Sequence, residues 1–404
     1  MHVLSDLTSL VATHRVVVCG GSGGVGKTTT AAALALWGAL QGRRTAVVTI
    51  DPAKRLADCL GLSTVSAREE PLPAEMFAPY GLTPKGTLTA LLVDQRSAWD
   101  AAVTRYAPTP EIRDRILANR FYQGLSRTFA GSHEYMALDT LATLVQRGAY
   151  DLIVVDTPPA RKALDFLEAP RRVQQFLDSR GTNWLLRSSV AGGWATLSGV
   201  NRTATFLLRK IEEATGISAL GEITEFFTAT KQMFVDFSER FQRVSELLSS
   251  AETAFVLVTS PEEEVLSEAA EFRAGLERLG VVLKGVVVNR VHEEWQGKGP
   301  RYKNPAGLIE RFRKVLHVPP VDSIHLQWLA ENFLAYQALA QGEKARLEHF
   351  RRGLPAGIPL VRIPVLPAFP ADLGGLFTVH RYLFQTTMPK QPRLTKKVLR
   401  MTSA

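Results

Sequence analysis

The stretch Cys19–Thr30 reads CGGSGGVGKTTT and closes the apolar run RVVVC of Arg15–Cys19. It satisfies two phosphate-binding patterns at once. Gly21, Gly23 and Gly26 spell G-x-G-x-x-G, the dinucleotide fingerprint, while Gly21 through Thr28 spell G-x-x-x-x-G-K-T, the triphosphate loop. A strand before and a helix after suit either pattern, and Asp51 stands near the place of a ribose-binding acid. Lys27 and Thr28 decide. A dinucleotide has no use for them, whereas a triphosphate needs an ammonium on its outer phosphates and a hydroxyl on Mg²⁺. The glycines leave the N–H groups of Ser22, Gly23, Gly24, Val25 and Gly26 free to converge on phosphate. Lys27, Thr28 and Thr29 follow at the positive end of the helix.

Further apolar, β-branched runs recur outward from this loop. They are TAVVTI (Thr45–Ile50), DLIVVD (Asp151–Asp156), AFVLVT (Ala254–Thr259), KGVVVN (Lys284–Asn289) and LVRIPV (Leu360–Val365), with TLTALLV (Thr87–Val93) as a seventh candidate. They are continuous in apolar character rather than alternating. That predicts an α/β fold whose mostly parallel sheet, of about seven strands, is covered by helices on both faces. Residues 160–250 carry no strand signal and predict an inserted helical subdomain within a single domain spanning 1–404. There Phe227, Phe234, Phe237, Phe241, Val244 and Leu248 form a seam spaced mostly three and four residues apart. Such a seam is the buried face of a helix or a surface offered to a partner.

Two strand ends carry acids. YDLIVVDTPPARKALDFL places Asp156 at the end of its run, where a carboxylate would hold Mg²⁺; the alternative is an acid capping the next turn. TIDPAKRLADCLG places Asp51 likewise, where it can face a γ-phosphate, bear on the metal and orient or deprotonate water. Pro52 leaves a helix N-cap as the alternative. Arg161 and Lys162 read either as phosphate sensors or as solvated charges. His133 has no evident partner and reads as a packing or surface residue.

The whole chain sets limits on these readings. It has 404 residues, 46% apolar and 22% charged, with the balance of an ordinary globular protein. Its two cysteines, Cys19 and Cys59, exclude a disulfide scaffold and a C-x-x-C zinc pair. The first residues lack a signal-peptide pattern and the longest uncharged run, Thr28–Gly42, is too short to span a membrane, so a cytoplasmic location is expected. The net charge of +9 is concentrated partly in residues 385–404, where Lys390, Arg393, Lys396, Lys397 and Arg400 stand without an acid. A flexible solvated tail is expected there, and no nucleic-acid-binding signature accompanies it.

The segments GGSGGVGKTTT, TIDPAKRLADCLG, VVDTPPARKALDFLEAP, VTSPEEEVLSEA and VVVNRV, in this order from about Val16 to Leu383, resemble the ArsA family of P-loop ATPases. That family includes the arsenite-pump ATPase and the guide ATPase for tail-anchored proteins, and it is related to ParA/MinD positioning ATPases. The resemblance implies an ATP- and Mg²⁺-dependent dimeric switch that drives a hydrophobic client or a membrane partner. It implies Asp51 in a first switch acting on water, Asp156 opening a second, and Asn289 on adenine. The loop Pro364–Pro370, with Pro367, would close over the base, and residues 160–250 would handle the client.

Three departures follow. Family members carry an extra lysine that reaches the partner's phosphates, and here that position is Ser22. Either hydrolysis is slow, as in a regulatory subunit, or a lysine-bearing paralogue completes a heterodimer. Cys19 and Cys59 read as packed residues rather than arsenite ligands. The zinc clasp of the eukaryotic branch is missing, so any homodimer or heterodimer must use other surfaces. A ParA/MinD-type role would call for a C-terminal amphipathic helix, which Pro392 interrupts.

Overall fold

The computed structural model describes residues 7–51, 54–120, 122–123, 132–159, 163–164, 167–168, 239–240, 242–295, 304–315 and 323–385. Its strands are β1 (Val16–Gly21), β2 (Arg44–Thr49), β3 (Glu70–Pro71), β4 (Thr87–Leu92), β5 (Leu152–Asp156), β6 (Thr253–Thr259), β7 (Leu283–Val291) and β8 (Leu360–Pro364). They form one sheet in the order β3-β4-β2-β5-β1-β6-β7-β8. Every pair is parallel except β3 with β4. All seven apolar runs are strands. The additional one, β3, is a two-residue edge strand. Its Pro71 cannot donate to a ladder, which suits an edge and hides the strand from a sequence reading.

The helices are α1 (Thr8–Thr13), α2 (Lys27–Leu40), α3 (Arg55–Leu60), α4 (Gln95–Tyr106), α5 (Pro110–Ala118), α6 (Ser132–Arg147), α7 (Glu263–Arg278), α8 (Pro305–Val315), α9 (Ser323–Arg352) and α10 (Leu373–Phe384). Alternate residues of each central strand serve opposite faces. Val16, Val18, Ile153, Val155, Phe255 and Leu257 pack with residues of α4, α6 and α7. Val17, Cys19, Val154, Val256 and Val258 pack with α1, α2, α3 and α10. Burial on both faces is what continuous apolar runs imply.

Helix α2 carries the phosphate loop and is buried on nearly every side. It lies against the sheet below, with α3 and α10 alongside. Its alanines allow that close approach, and Trp37 stacks on Phe384 with ring centroids 4.8 Å apart. Burying side chains such as Leu34 and Leu36 contributes about 1.5–3 kcal/mol each, so the helix behind the loop is anchored firmly.

Of the predicted insert, Val244 and Leu248 are buried in the core that also holds α6 and α7. That end of the seam is the inner face of a helix. Phe227, Phe234, Phe237 and Phe241, together with Arg161, Lys162 and residues 386–404 of the basic tail, lie outside the described residues. Among the described residues, no helix is long and apolar enough to cross a membrane.

Candidate active site

The C-terminal ends of β1, β2, β5, β6 and β7 meet at one edge of the sheet, where the chain runs from β1 to β2 on one side and lies against β6 on the other. Such a crossing point forms a crevice in parallel sheets. At Gly21 the loop leaves β1 so close to β6 that a Cβ would lie 1.9 Å from the Val258 carbonyl oxygen. At its other end Gly26 caps α2 in a left-handed conformation, φ +99°, which glycine adopts without strain. The first helical bond runs from Thr30 N–H to Gly26 O at 2.9 Å. The N–H groups before it have no intrahelical acceptor, so they are donors for a ligand at the helix terminus.

Lys27 spans this loop. It is only 8% exposed, and its Nζ donates to the Ser22 carbonyl at 2.7 Å. Burial pulls its ammonium below the usual lysine range, and the Asp156 carboxylate pulls it back. Ser22 is 3% exposed. Its hydroxyl is buried, with no hydrogen-bond partner among the described residues.

Asp156 is the electrostatic centre of the crevice. It ends β5 between Cys19 of β1 and Thr49 of β2 in the strand register, and it is 1% exposed. Its Oδ2 accepts from Thr28 Oγ1 at 2.7 Å and from Thr49 Oγ1 at 2.9 Å. Its Oδ1 is buried without a partner among the described residues. Burial pushes the carboxyl up to about 6, against the two hydroxyl bonds and Lys27, which hold it down. An unpaired buried carboxylate oxygen beside a threonine hydroxyl is a hard, all-oxygen donor set that fits Mg²⁺ completed by phosphate oxygens and water. Among the described residues neither oxygen accepts from the turn after β5, whose Thr157 N–H donates to the Cys19 carbonyl at 3.3 Å, so the turn-capping alternative has no hydrogen bond to rest on.

Asp51 lies just past β2, with its side chain 29% exposed and Oδ2 3.5 Å from Arg55 Nη1. Its backbone N–H donates to Thr49 Oγ1 at 3.2 Å, which ties it to the residue that also holds Asp156. Helix α3 is capped at Lys54 without a side-chain bond, so Asp51 is not its N-cap. Asp51 also acts electrostatically on both Lys27 and Asp156.

Asn289, on β7, donates from Nδ2 to the Val25 carbonyl at 2.9 Å. Its Oδ1 accepts from the Arg290 N–H at 3.0 Å. A base contact would have to use its second N–H and its remaining lone pair. Pro367 stands on the exposed turn after β8, at the same edge of the sheet. Cys19 and Cys59 are both buried, and burial raises both thiols above their ordinary range. Cys59 Sγ rests 3.4 Å from Thr29 Oγ1. These are features of packed residues rather than accessible soft-metal ligands.

One residue and one contact escaped the sequence reading. Thr49 ends β2 as an ordinary strand residue, and only the parallel pairing of β2 with β5 sets its hydroxyl on Asp156. Asn289 showed as a strand-end amide, with no sign that it touches the phosphate loop.

A phosphate loop on β1, a buried acid ending the adjacent β5 and a mostly parallel sheet define a P-loop NTPase. Within that class the chain belongs to the ArsA family, whose model, described as anion-transporting ATPase, matches residues 14–304. It is therefore an ATPase by family. It is 24% identical over 351 residues to "Putative arsenical pump-driving ATPase 2" of Aquifex aeolicus, covering 85% of this chain and 100% of that one. It is 27% identical over 305 residues to ATPase GET3B of Arabidopsis thaliana, covering 69% and 64%. It is 24% identical over 288 residues to the ATPase ASNA1 homolog of Cryptosporidium parvum, covering 71% and 68%.

Proposed function

We propose that the chain binds Mg²⁺-ATP in the crevice above β1 and hydrolyses its β–γ anhydride as a dimeric switch that drives a client or a membrane partner. The observation that carries this reading is the Asp156 carboxylate. It is bonded to Thr28 at 2.7 Å and keeps one buried oxygen unpartnered among the described residues. Residues Gly21 to Thr29 bind the phosphates through backbone N–H groups and the Lys27 ammonium. Thr28 and Asp156 hold the metal, and Asp51 contributes through a ligating water. Bound there, the metal neutralises charge that develops on the phosphates. Asp51 orients the attacking water and takes its proton. Pro367 and its neighbours cover the base. Residues 160–250 serve as the client-handling subdomain, and the tail from 385 stays solvated.

Ser22 shapes the catalytic side of this proposal. A hydroxyl there cannot neutralise charge in phosphoryl transfer, and losing such a cation lowers the rate on the order of 10³-fold, by analogy with arginine fingers. The chain therefore works in a heterodimer whose other member carries the lysine. The buried Ser22 hydroxyl favours a second reading, a nucleotide-binding regulatory subunit with weak hydrolysis of its own. Turnover by the chain alone and mixed with a lysine-bearing paralogue separates the two. Stimulation well above the sum of the parts, lost with Lys27→Ala in this chain, supports the catalytic heterodimer. No stimulation, with slow turnover that persists, supports the regulatory subunit.

A further inference from the structure

The backbone around Asn289 is unusual for a strand. Between Val288 and Val291 the pairing with β8 slips: Val288 lies opposite Arg362 and Val291 opposite Pro364, three steps on β7 against two on β8. A bulge of this kind re-aims a side chain beside a site. Arg290, inside it, is held at φ +59°, a conformation that a side-chain-bearing residue adopts rarely. In that conformation its N–H reaches Asn289 Oδ1 at 3.0 Å. The opposite side of the amide, Nδ2, donates to Val25 O at 2.9 Å, across 264 residues of chain. These two bonds agree on one orientation. Turned over, the amide would set its oxygen against the Val25 carbonyl and its nitrogen against the Arg290 N–H.

The loop is fitted to receive this amide. A Cβ on Gly26 would lie 2.4 Å from Nδ2, so the glycine both takes the left-handed turn and makes room for the brace. A peptide plane holds C=O and the following N–H antiparallel. Anchoring the Val25 carbonyl on β7 therefore turns the Gly26 N–H away from β7.

We propose that Asn289 is a positioning residue for triphosphate binding, which holds the Val25–Gly26 peptide so that its N–H faces the phosphates, and that it acts on the phosphate loop whatever base is attached. This rests on the nucleotide reading above and assigns the bulge of β7 a task within it. A residue that reads adenine discriminates between nucleotides, whereas a brace on the phosphate loop does not.

The test compares affinities of the full chain for Mg²⁺-ATP, Mg²⁺-GTP and Mg²⁺-tripolyphosphate by titration calorimetry, in wild type and in Asn289→Ala. Loss of this partly buried hydrogen bond to the loop weakens each ligand by about tenfold. The expected result is a uniform loss, with the ATP-to-GTP ratio within about twofold of wild type. A loss confined to ATP, or no loss at all, overturns the proposal. Asn289→Asp is nearly isosteric and keeps the acceptor for Arg290 while setting an oxygen against the Val25 carbonyl. It gives the same uniform loss and supplies the comparison should the alanine variant fail to fold. Wild-type protein that binds none of the three ligands refutes the nucleotide reading itself, an outcome distinct from selective loss in the variant.

Discussion

Replacing Asp156 by Asn probes the centre of the crevice directly. The carboxyl is pushed up from 3.8 to about 6, chiefly by burial. Between those two values the folded chain keeps a proton that the unfolded chain has released. Its contribution to stability is therefore fully present below that window and is lost as pH rises through it. The total loss is 1.36 × (6 − 3.8), about 3 kcal/mol, by pH 7.5. Roughly 1 kcal/mol of it has already developed at pH 4.5, which leaves about 2 kcal/mol to appear between pH 4.5 and 7.5. Asn does not titrate. Its amide sets an N–H where Oδ1 stood, an offset that does not change with pH and cancels in the comparison. The assay is urea unfolding of the nucleotide-free protein in chelator at both pH values. The stability of Asp156→Asn relative to wild type should rise by about 2 kcal/mol from pH 4.5 to 7.5. A gap that stays constant within about 0.5 kcal/mol would show that Asp156 titrates as an ordinary carboxylate and would refute the account of its burial.

His380 should act in the opposite sense. Burial lowers its imidazole to about 4, so it stays neutral in the folded chain while the unfolded chain takes up a proton below pH 6.5. His380→Phe should lose less stability than wild type between pH 6.5 and 4.5, and equal losses on urea unfolding would count against this. Gly26→Ala sets a Cβ 2.4 Å from Asn289 Nδ2 at φ +99°. It should destabilise the chain by about 1–3 kcal/mol and abolish ATP binding in calorimetry. Asp51→Asn should leave ATP affinity within about threefold while turnover falls on the order of 10²–10⁴-fold. An equal drop in affinity would place Asp51 in binding rather than in water activation.

The fold was legible because buried parallel strands need apolar side chains on both faces. RVVVC, DLIVVD and AFVLVT could hardly have read otherwise. The strand β3 escaped because two residues, one a proline, carry no pattern. The phosphate loop was legible for a different reason: left-handed turns, close backbone approach and an ammonium restrict residue identity at fixed spacing. Asp51 and Asp156 showed as acids ending apolar runs, yet their alternatives as caps needed the structure. Lys54 occupies the cap of α3, and Asp156 is engaged by Thr28 and Thr49. Thr49 itself and the Asn289 brace depend on which strands lie side by side and on a slipped register. Neither property is local in sequence.

The proposed site rests on one grip, that of the amide loop, Lys27 and the Thr28–Asp156 pair on a magnesium-bound triphosphate. Titration of ATP into the purified full chain, with Mg²⁺ and with excess chelator, tests it most directly, with Lys27→Ala as the matched control. Saturable binding that requires Mg²⁺ and is lost in the variant is the expected result. Binding that is indifferent to both Mg²⁺ and Lys27, or no binding of ATP or ADP under either condition, would contradict it.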